Sequence, residues 1–411
     1  MNLKAKLSRL RVQSGGACEP SPTASAASEL RRRLAGIGTE RLATGPRHSP
    51  PEKIGEEALA QRLRGYRIAE GVIQIQRRLV LGGELGRQPL SLLRNTLRLP
   101  GEGREAHLRQ LYIDTETNGL SGGSGTLAFL VGVAAVEGDA LVVTQYLLTR
   151  FAGEAAMLAA LVRAMTPDDR LVSYNGKSFD LPLLTTRCRM QGEAHPFDEL
   201  PHLDLLHPVR RLFARRWPDC RLITLEDRLL GFRRRHDLPG AEAPAAWSGY
   251  LRQGRVEPLI RVVEHNRQDI LSLAMAHAVL VRAVAAPQSH GVDIASLAHW
   301  LFRFDRSRAY TLLKSFALSL DDRGKRLLGR LASRDKDWSL AVPLWEALAG
   351  KGCRHSLEQL AKYHEHVSRD LDVARHYCEQ LKPGPGRARR LRRIEDKQYR
   401  QRLQPGMASF R

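Results

Sequence analysis

Three strand-like stretches, residues 111–115, 127–136 and 140–148, succeed one another with only Gly-containing turns between them. Apolar runs of that length joined so closely predict a three-stranded meander. Beyond residue 148 the pattern alternates. Helical spacing over 154–165 leads to a short strand at 170–174, a helix over 179–190, a strand at 202–206 and a long amphipathic helix over 258–281. Pro182 falls in the first turn of its helix, where a missing N–H would be unpaired anyway. Three strands, then alternating helices and strands, predict an α/β fold with a mixed sheet flanked by helices.

The flanks read differently. Residues 1–55, rich in Ser, Ala, Gly, Pro and Arg without periodicity, predict a disordered basic segment. Apolar residues return over 56–103, where GVIQIQRRLVL reads as a strand in a lead-in segment packing on the α/β domain of 104–284. Over 285–382 the pattern is all-helical, with segments 297–304 and 308–316, 327–331 and 338–348, and 360–366 and 370–381 pairing as helix hairpins. Ala341 and Ala374, like Leu348 and Leu381, stand 33 residues apart. That is close to the ~34-residue period of tetratricopeptide repeats, although generic helix packing gives the same spacing. A Pro/Gly hinge then opens the basic tail of 383–411, read either as a solvated tail or as a phosphate-binding arm.

Composition narrows the partners. With 65 basic against 44 acidic residues the net charge is +21, so a polyanion, nucleic acid first, is the expected ligand. Arginine dominates, since only 11 of the basic residues are Lys, a skew that genomic base composition also produces. Five scattered cysteines without a CxxC pair exclude a disulfide scaffold and offer no zinc site. A reducing compartment fits them. The longest apolar run is about ten residues where a membrane span needs ~20, so no membrane association is expected. The basic N-terminus, with Leu3, Leu7 and Leu10 on one helical face, lacks the apolar core of a secretion signal. A cytoplasmic protein is the expectation.

Four acids stand at the edges of predicted elements. Asp114 and Glu116, two apart on a strand, point to one face. Asp180 opens a helix that leaves a strand, and Asp269 lies on the long last helix. Charges within apolar runs are costly to bury unless they are paired or hold a cation. Hard oxygen donors without Cys suit Mg²⁺ or Mn²⁺ rather than zinc.

At these residues the chain resembles a known superfamily. The run from Asp114 through Thr115, Glu116, Thr117, Asn118 and Gly119 to Leu120 is similar to the first motif of proofreading-type 3′–5′ exonucleases. The run from Tyr174 to Asp180, YNGKSFD, resembles the second motif of the exonuclease domain in family B DNA polymerases. With LEDRLLG, RHDLPG and EHNRQDILSL, the chain looks like the bacterial YprB-type ribonuclease-H-like proteins of the DEDD exonuclease superfamily. The resemblance implies a ribonuclease-H-like domain over 104–284, with a tetratricopeptide-like helical region behind it. It implies that Asp114, Glu116, Asp180 and Asp269 hold two Mg²⁺ or Mn²⁺ ions. His265, four residues before Asp269 and so on the same helix face, replaces the tyrosine that orients or deprotonates the attacking water. The position five before Asp269, histidine in related enzymes, is Glu264 here.

Thr117, Leu120, Asn175, Lys177 and Phe179 are the implied substrate-binding residues. The implied reaction is hydrolysis of terminal phosphodiesters of DNA or RNA. Two alternatives use the same fold: a weak or inactive nucleic-acid-binding adaptor, and a structure-specific endonuclease. The helical region suggests a protein partner. Asp204 reads as a fifth acid or a cap-like satellite, and Arg233 to Asp237 as a basic loop at the substrate entrance; His202 and His207 lack ligand spacing.

Overall fold

The last strand of the meander, Ala140–Leu148, is buried at every residue, and that fact organises the sheet around it. A computed structural model describes residues 54–119, 125–234 and 237–403; the 1–53 segment, Leu120 and most of the SGGSG turn lie outside the described residues. Helix α1 (Glu56–Arg62) precedes a hairpin of β1 (Tyr66–Ala69) and β2 (Val72–Val80), and then comes a second hairpin with two-residue arms, β3 (Glu84–Leu85) and β4 (Gln88–Pro89). The meander is β5 (Arg109–Thr117), β6 (Ala128–Glu137) and β7 (Ala140–Leu148). Then come α2 (Glu154–Arg163), β8 (Asp169–Ser173), α3 (Asp180–Gln191), β9 (His202–Asp204) and α4 (Leu206–Phe213). Short α5 (Leu222–Leu225) runs into a π-type turn, Glu226–Leu230, before α6 (Ala243–Gln253) and the 30-residue α7 (Val256–Ala285).

The main sheet has the order β1-β2-β7-β6-β5-β8-β9, antiparallel as far as β5 and parallel from β5 outward. The expected mixed sheet is therefore present. The lead-in is more than a packing layer. β2 pairs along the whole of β7, from Val72 opposite Leu148 to Val80 opposite Ala140, and so belongs to the sheet itself. The reason is backbone satisfaction: a strand buried on both faces cannot leave its outer N–H and C=O groups unpaired.

Helices cover both faces. One apolar cluster joins Leu59, Phe129, Leu158, Leu184, Trp247 and Leu259; the other joins Tyr112, Leu141, Phe213, Leu225, Met275 and Leu297. The first turns of α7 belong to the first cluster and its second half to the second. By length and composition α7 could cross a membrane, although polar residues break its uninterrupted apolar run. Its apolar side chains are instead packed inside the protein.

The C-terminal region is all-helical: α8 (Ile294–Leu301), α9 (Arg306–Ser315), α10 (Asp322–Arg334), α11 (Trp338–Ala349), α12 (Arg354–His366), α13 (Leu371–Glu379) and α14 (Pro385–Leu403). Asp293, Asp305, Asp321 and Asp370 accept backbone N–H bonds at the starts of α8, α9, α10 and α13, which fixes where those helices begin. Ala341, Ala374, Leu348 and Leu381 are all buried, so the 33-residue spacing marks core positions. Leu297, Trp300 and Leu301 of α8 share the cluster of α7, so the apolar core runs on across residue 285. Nor is the described part of the tail, to Leu403, loose. Ile394 of α14 is buried, and Arg390, Arg393 and Lys397 surround the fully buried Glu365 of α12, which draws the helix onto the fold.

Candidate active site

β5 alternates so that Asp114 and Glu116 leave the strand on the same side. Opposite Asp114 on β6 stands Gly132. A Cβ there would lie 2.1 Å from Ile270 Cδ1 and 2.3 Å from Asn266 Oδ1, so the missing side chain is what lets α7 approach the sheet. Asn266, fully buried, donates through Nδ2 to Asp114 Oδ2 at 2.8 Å. Gln145 of β7 donates in turn to Asn266 Oδ1 at 2.9 Å. Three elements are thereby tied together behind one carboxylate.

Asp180 comes from the turn between β8 and α3. Asn175 takes the left-handed backbone (φ 70°), and a Cβ on Gly176 would lie 2.5 Å from Ser173 Oγ. Asp204, buried at the end of β9, accepts the N–H groups of Asn175 (2.7 Å), Lys177 (3.2 Å) and Leu206 (3.0 Å). Asp204 thus shapes this turn from behind. Thr115 Oγ1 donates to Asp180 Oδ1, linking the turn to β5. His202 contacts Ser173 Oγ at 2.8 Å, and burial pushes its imidazole down to about 4.

α7 supplies the last part, with His265 and Asp269 one turn apart. His265 Nε2 lies 3.4 Å from Asp269 Oδ2 and 3.8 Å from Glu116 Oε1. One ligand atom each of Glu116, His265 and Asp269 falls within a 4.8 Å group that could hold a cation. Asp114, Glu116, Asp180, His265 and Asp269 line one cleft of about 780 Å³, with Thr117 and the exposed Phe179. Glu264, by contrast, faces solvent and pairs with Arg267.

Not every expected residue reaches the cleft. Leu120 lies outside the described residues. Lys177 borders a neighbouring recess with Arg189 and His202, because the turn that presents Asp180 directs it to the other side. Asn175 is absent from the cleft lining; its backbone is held by Asp204 and its left-handed conformation is turn chemistry. The expected basic entrance loop also differs. Arg234 is buried among acids, pairing with Asp269, with Glu226 at 2.5 Å and with Asp237 at 3.1 Å, while residues 235 and 236 lie outside the described residues.

Electrostatics reflect this crowding. Burial, then repulsion from Asp269, Asp180 and Glu116, raises the Asp114 carboxyl well above the usual carboxylate range. Glu116 is pushed up to about 8 by burial and then by Asp269 and Asp180. Asp180 reaches about 6 through burial, with the Thr115 bond opposing. A set of hard oxygens that repel one another in a buried cleft is the donor chemistry that divalent Mg²⁺ or Mn²⁺ relieves.

The sequence offers Arg234 and Asp237 only as part of a basic entrance loop, and assigns Asn266 and Gln145 no role. A polar Asn in the apolar face of α7 was the available signal for Asn266; nothing in local spacing links Arg234 to Asp269.

Comparison with known proteins places these elements. Residues 111–280 match the sequence profile of the RNase_H superfamily. Protein YprB of Bacillus subtilis (strain 168) is 33% identical over 284 residues, covering 66% of this chain and 68% of that protein. A structure of the family B DNA polymerase from the hyperthermophilic archaeon Pyrobaculum calidifontis is similar at a TM-score of 0.35 and 15% identity, over 58% of this chain and 34% of the polymerase. The chain spans about a third of that polymerase's length. With the sheet and its acids inside the matched span, the chain has a ribonuclease-H-like fold and belongs to the YprB family of the RNase_H superfamily.

Proposed function

We propose that this protein is a divalent-metal-dependent 3′–5′ exonuclease that hydrolyses terminal phosphodiesters of DNA or RNA. One observation carries the reading: four carboxylates from three separate elements meet a histidine in a single cleft. Asp114, Glu116, Asp180 and Asp269 would hold the two ions. Bound Mg²⁺ or Mn²⁺ supplies Lewis-acid stabilisation of charge on the attacking and leaving oxygens of a phosphodiester. The chain's own part is separable. His265 Nε2, beside the acids, would take the proton of the attacking water. Thr117 and Phe179, at the cleft wall, would seat the terminal nucleotide, Phe179 by stacking. The net charge of +21 supports a polyanionic substrate.

The test is an end-label assay. Single-stranded DNA and RNA of matched sequence, labelled at the 5′ end, are incubated with Mg²⁺ or Mn²⁺. Stepwise shortening from the 3′ end is expected with wild type, and Asp114→Ala should lose on the order of 10³ in rate. Activity in EDTA, or an unimpaired Asp114→Ala, overturns the reading. Cutting of a circular single strand would turn it into an endonuclease, and tight binding without product into an adaptor.

A further inference from the structure

We propose that Asp237 is the positioning residue of this cleft, holding the His265 ring by Nδ1 so that Nε2 is turned to the acids. The inference rests on the nuclease reading and deepens it. His265 spans two environments. Its Nδ1 lies 2.7 Å from Asp237 Oδ1, while Nε2 points to Asp269 Oδ2 and Glu116 Oε1 on the other side. A carboxylate can only accept, so the Asp237 contact places the proton on Nδ1.

One neighbour competes for the same atom. Arg234 Nη1 stands 3.3 Å from His265 Nδ1, and a guanidinium can only donate. Both contacts cannot be hydrogen bonds to one nitrogen in one tautomer. The Asp237 contact is shorter by 0.6 Å, taking 2.7 from 3.3 Å, and it wins. Arg234 Nη1 has another acceptor at 3.1 Å, Asp237 Oδ2. The arginine therefore steadies the aspartate rather than the histidine.

Both Asp237 oxygens are then engaged, one by His265 and one by Arg234, and Asp237 is not among the residues that line the cleft. Arg234 is itself anchored: its Nε donates to Glu226 Oε2 at 2.8 Å, and the fully buried Glu226 accepts from Ser272 of α7 as well. A π-type turn begins at Glu226, a local irregularity of the sort that places functional groups. Three residues beyond Asp237, Gly240 lies beside the ring, where a Cβ would stand at ordinary contact distance, 3.6 Å from Nε2. Glu226, Arg234 and Asp237 thus form a relay of contacts from the core to one ring nitrogen.

The experiment uses the full-length protein with ¹⁵N-labelled histidine. Without metal, the His265 Nδ1 resonance, assigned by its loss in His265→Ala, should show a protonated, hydrogen-bonded Nδ1, and Asp237→Asn should weaken that bond. With Mn²⁺, Asp237→Asn should lower kcat about 10–100-fold while KM for the labelled single strand stays within about twofold. Asp237→Glu should recover part of the loss. In a His265→Ala background Asp237→Asn should cost nothing further, as expected if it acts through the ring. An Nδ1 without a proton in the wild type, or an equal loss from Asp237→Asn with and without His265, overturns the proposal. If wild type hydrolyses nothing under any metal, the nuclease reading fails instead, and the Nδ1 resonance alone decides the assignment of Asp237.

Discussion

Glu116 holds its proton to about pH 8, first because burial disfavours its charge and next because Asp269 and Asp180 stand close. Such a group binds its proton more tightly folded than unfolded, where its value is 4.5. Its stabilising contribution is complete below about pH 4.5 and is lost as pH rises through about 8. Histidines work the other way. His202 and His277, lowered by burial to about 4 and about 3, favour the folded state increasingly up to their ordinary 6.5 and contribute no slope well above it. Between about pH 7 and 8.5 the melting temperature of the metal-free protein should therefore fall, and millimolar Mn²⁺ should reverse the fall. A profile that stays flat there, with and without Mn²⁺, would remove the acid cluster as a source of strain. The four acids were legible because charges inside apolar runs stand out against the local pattern. Arg234 and Asp237 read only as part of a basic entrance loop, since their partners on α7 lie some 30 residues away and only folding brings them together.

Gly132 decides how near α7 can come to the sheet, and so whether Asn266 reaches Asp114. Gly132→Ala would drive a Cβ into Ile270 and Asn266. Overpacking of that kind costs about 1–3 kcal/mol, read from the denaturant midpoint. Because Asn266 orients a carboxylate of the cleft, Mn²⁺ affinity measured by calorimetry should drop about 10–100-fold as well. Lost stability with unchanged Mn²⁺ binding would separate α7 packing from the site. The meander and the helices after it were readable from periodicity, which is a local property. The addition of β1 and β2 to the far side of β7 was not, because strand pairing over some 65 residues leaves no mark within either strand.

Across the whole chain, the tail shows how charge misleads. A run as basic as residues 385–403 reads as a solvated extension or a phosphate-binding arm, yet three of its cations close over Glu365. Burial pushes that carboxyl up, and hydrogen bonds from Arg393 and Lys397 outweigh burial and hold it down to about 2. Ending the chain after Lys382 would also uncover the surface that Ile394 seals, worth about 1.5–3 kcal/mol by itself. A melting temperature lower by several degrees is expected for the truncated protein. An unchanged one would return α14 to the status of an appendage. The sheet has a consequence of its own for solubility. It ends on a four-residue strand with a register shift at one margin and a three-residue strand at the other. Margins so short and irregular are poor templates for a stranger's strand, and the long apolar β6 and β7 lie well inside them, out of reach of amyloid-like pairing.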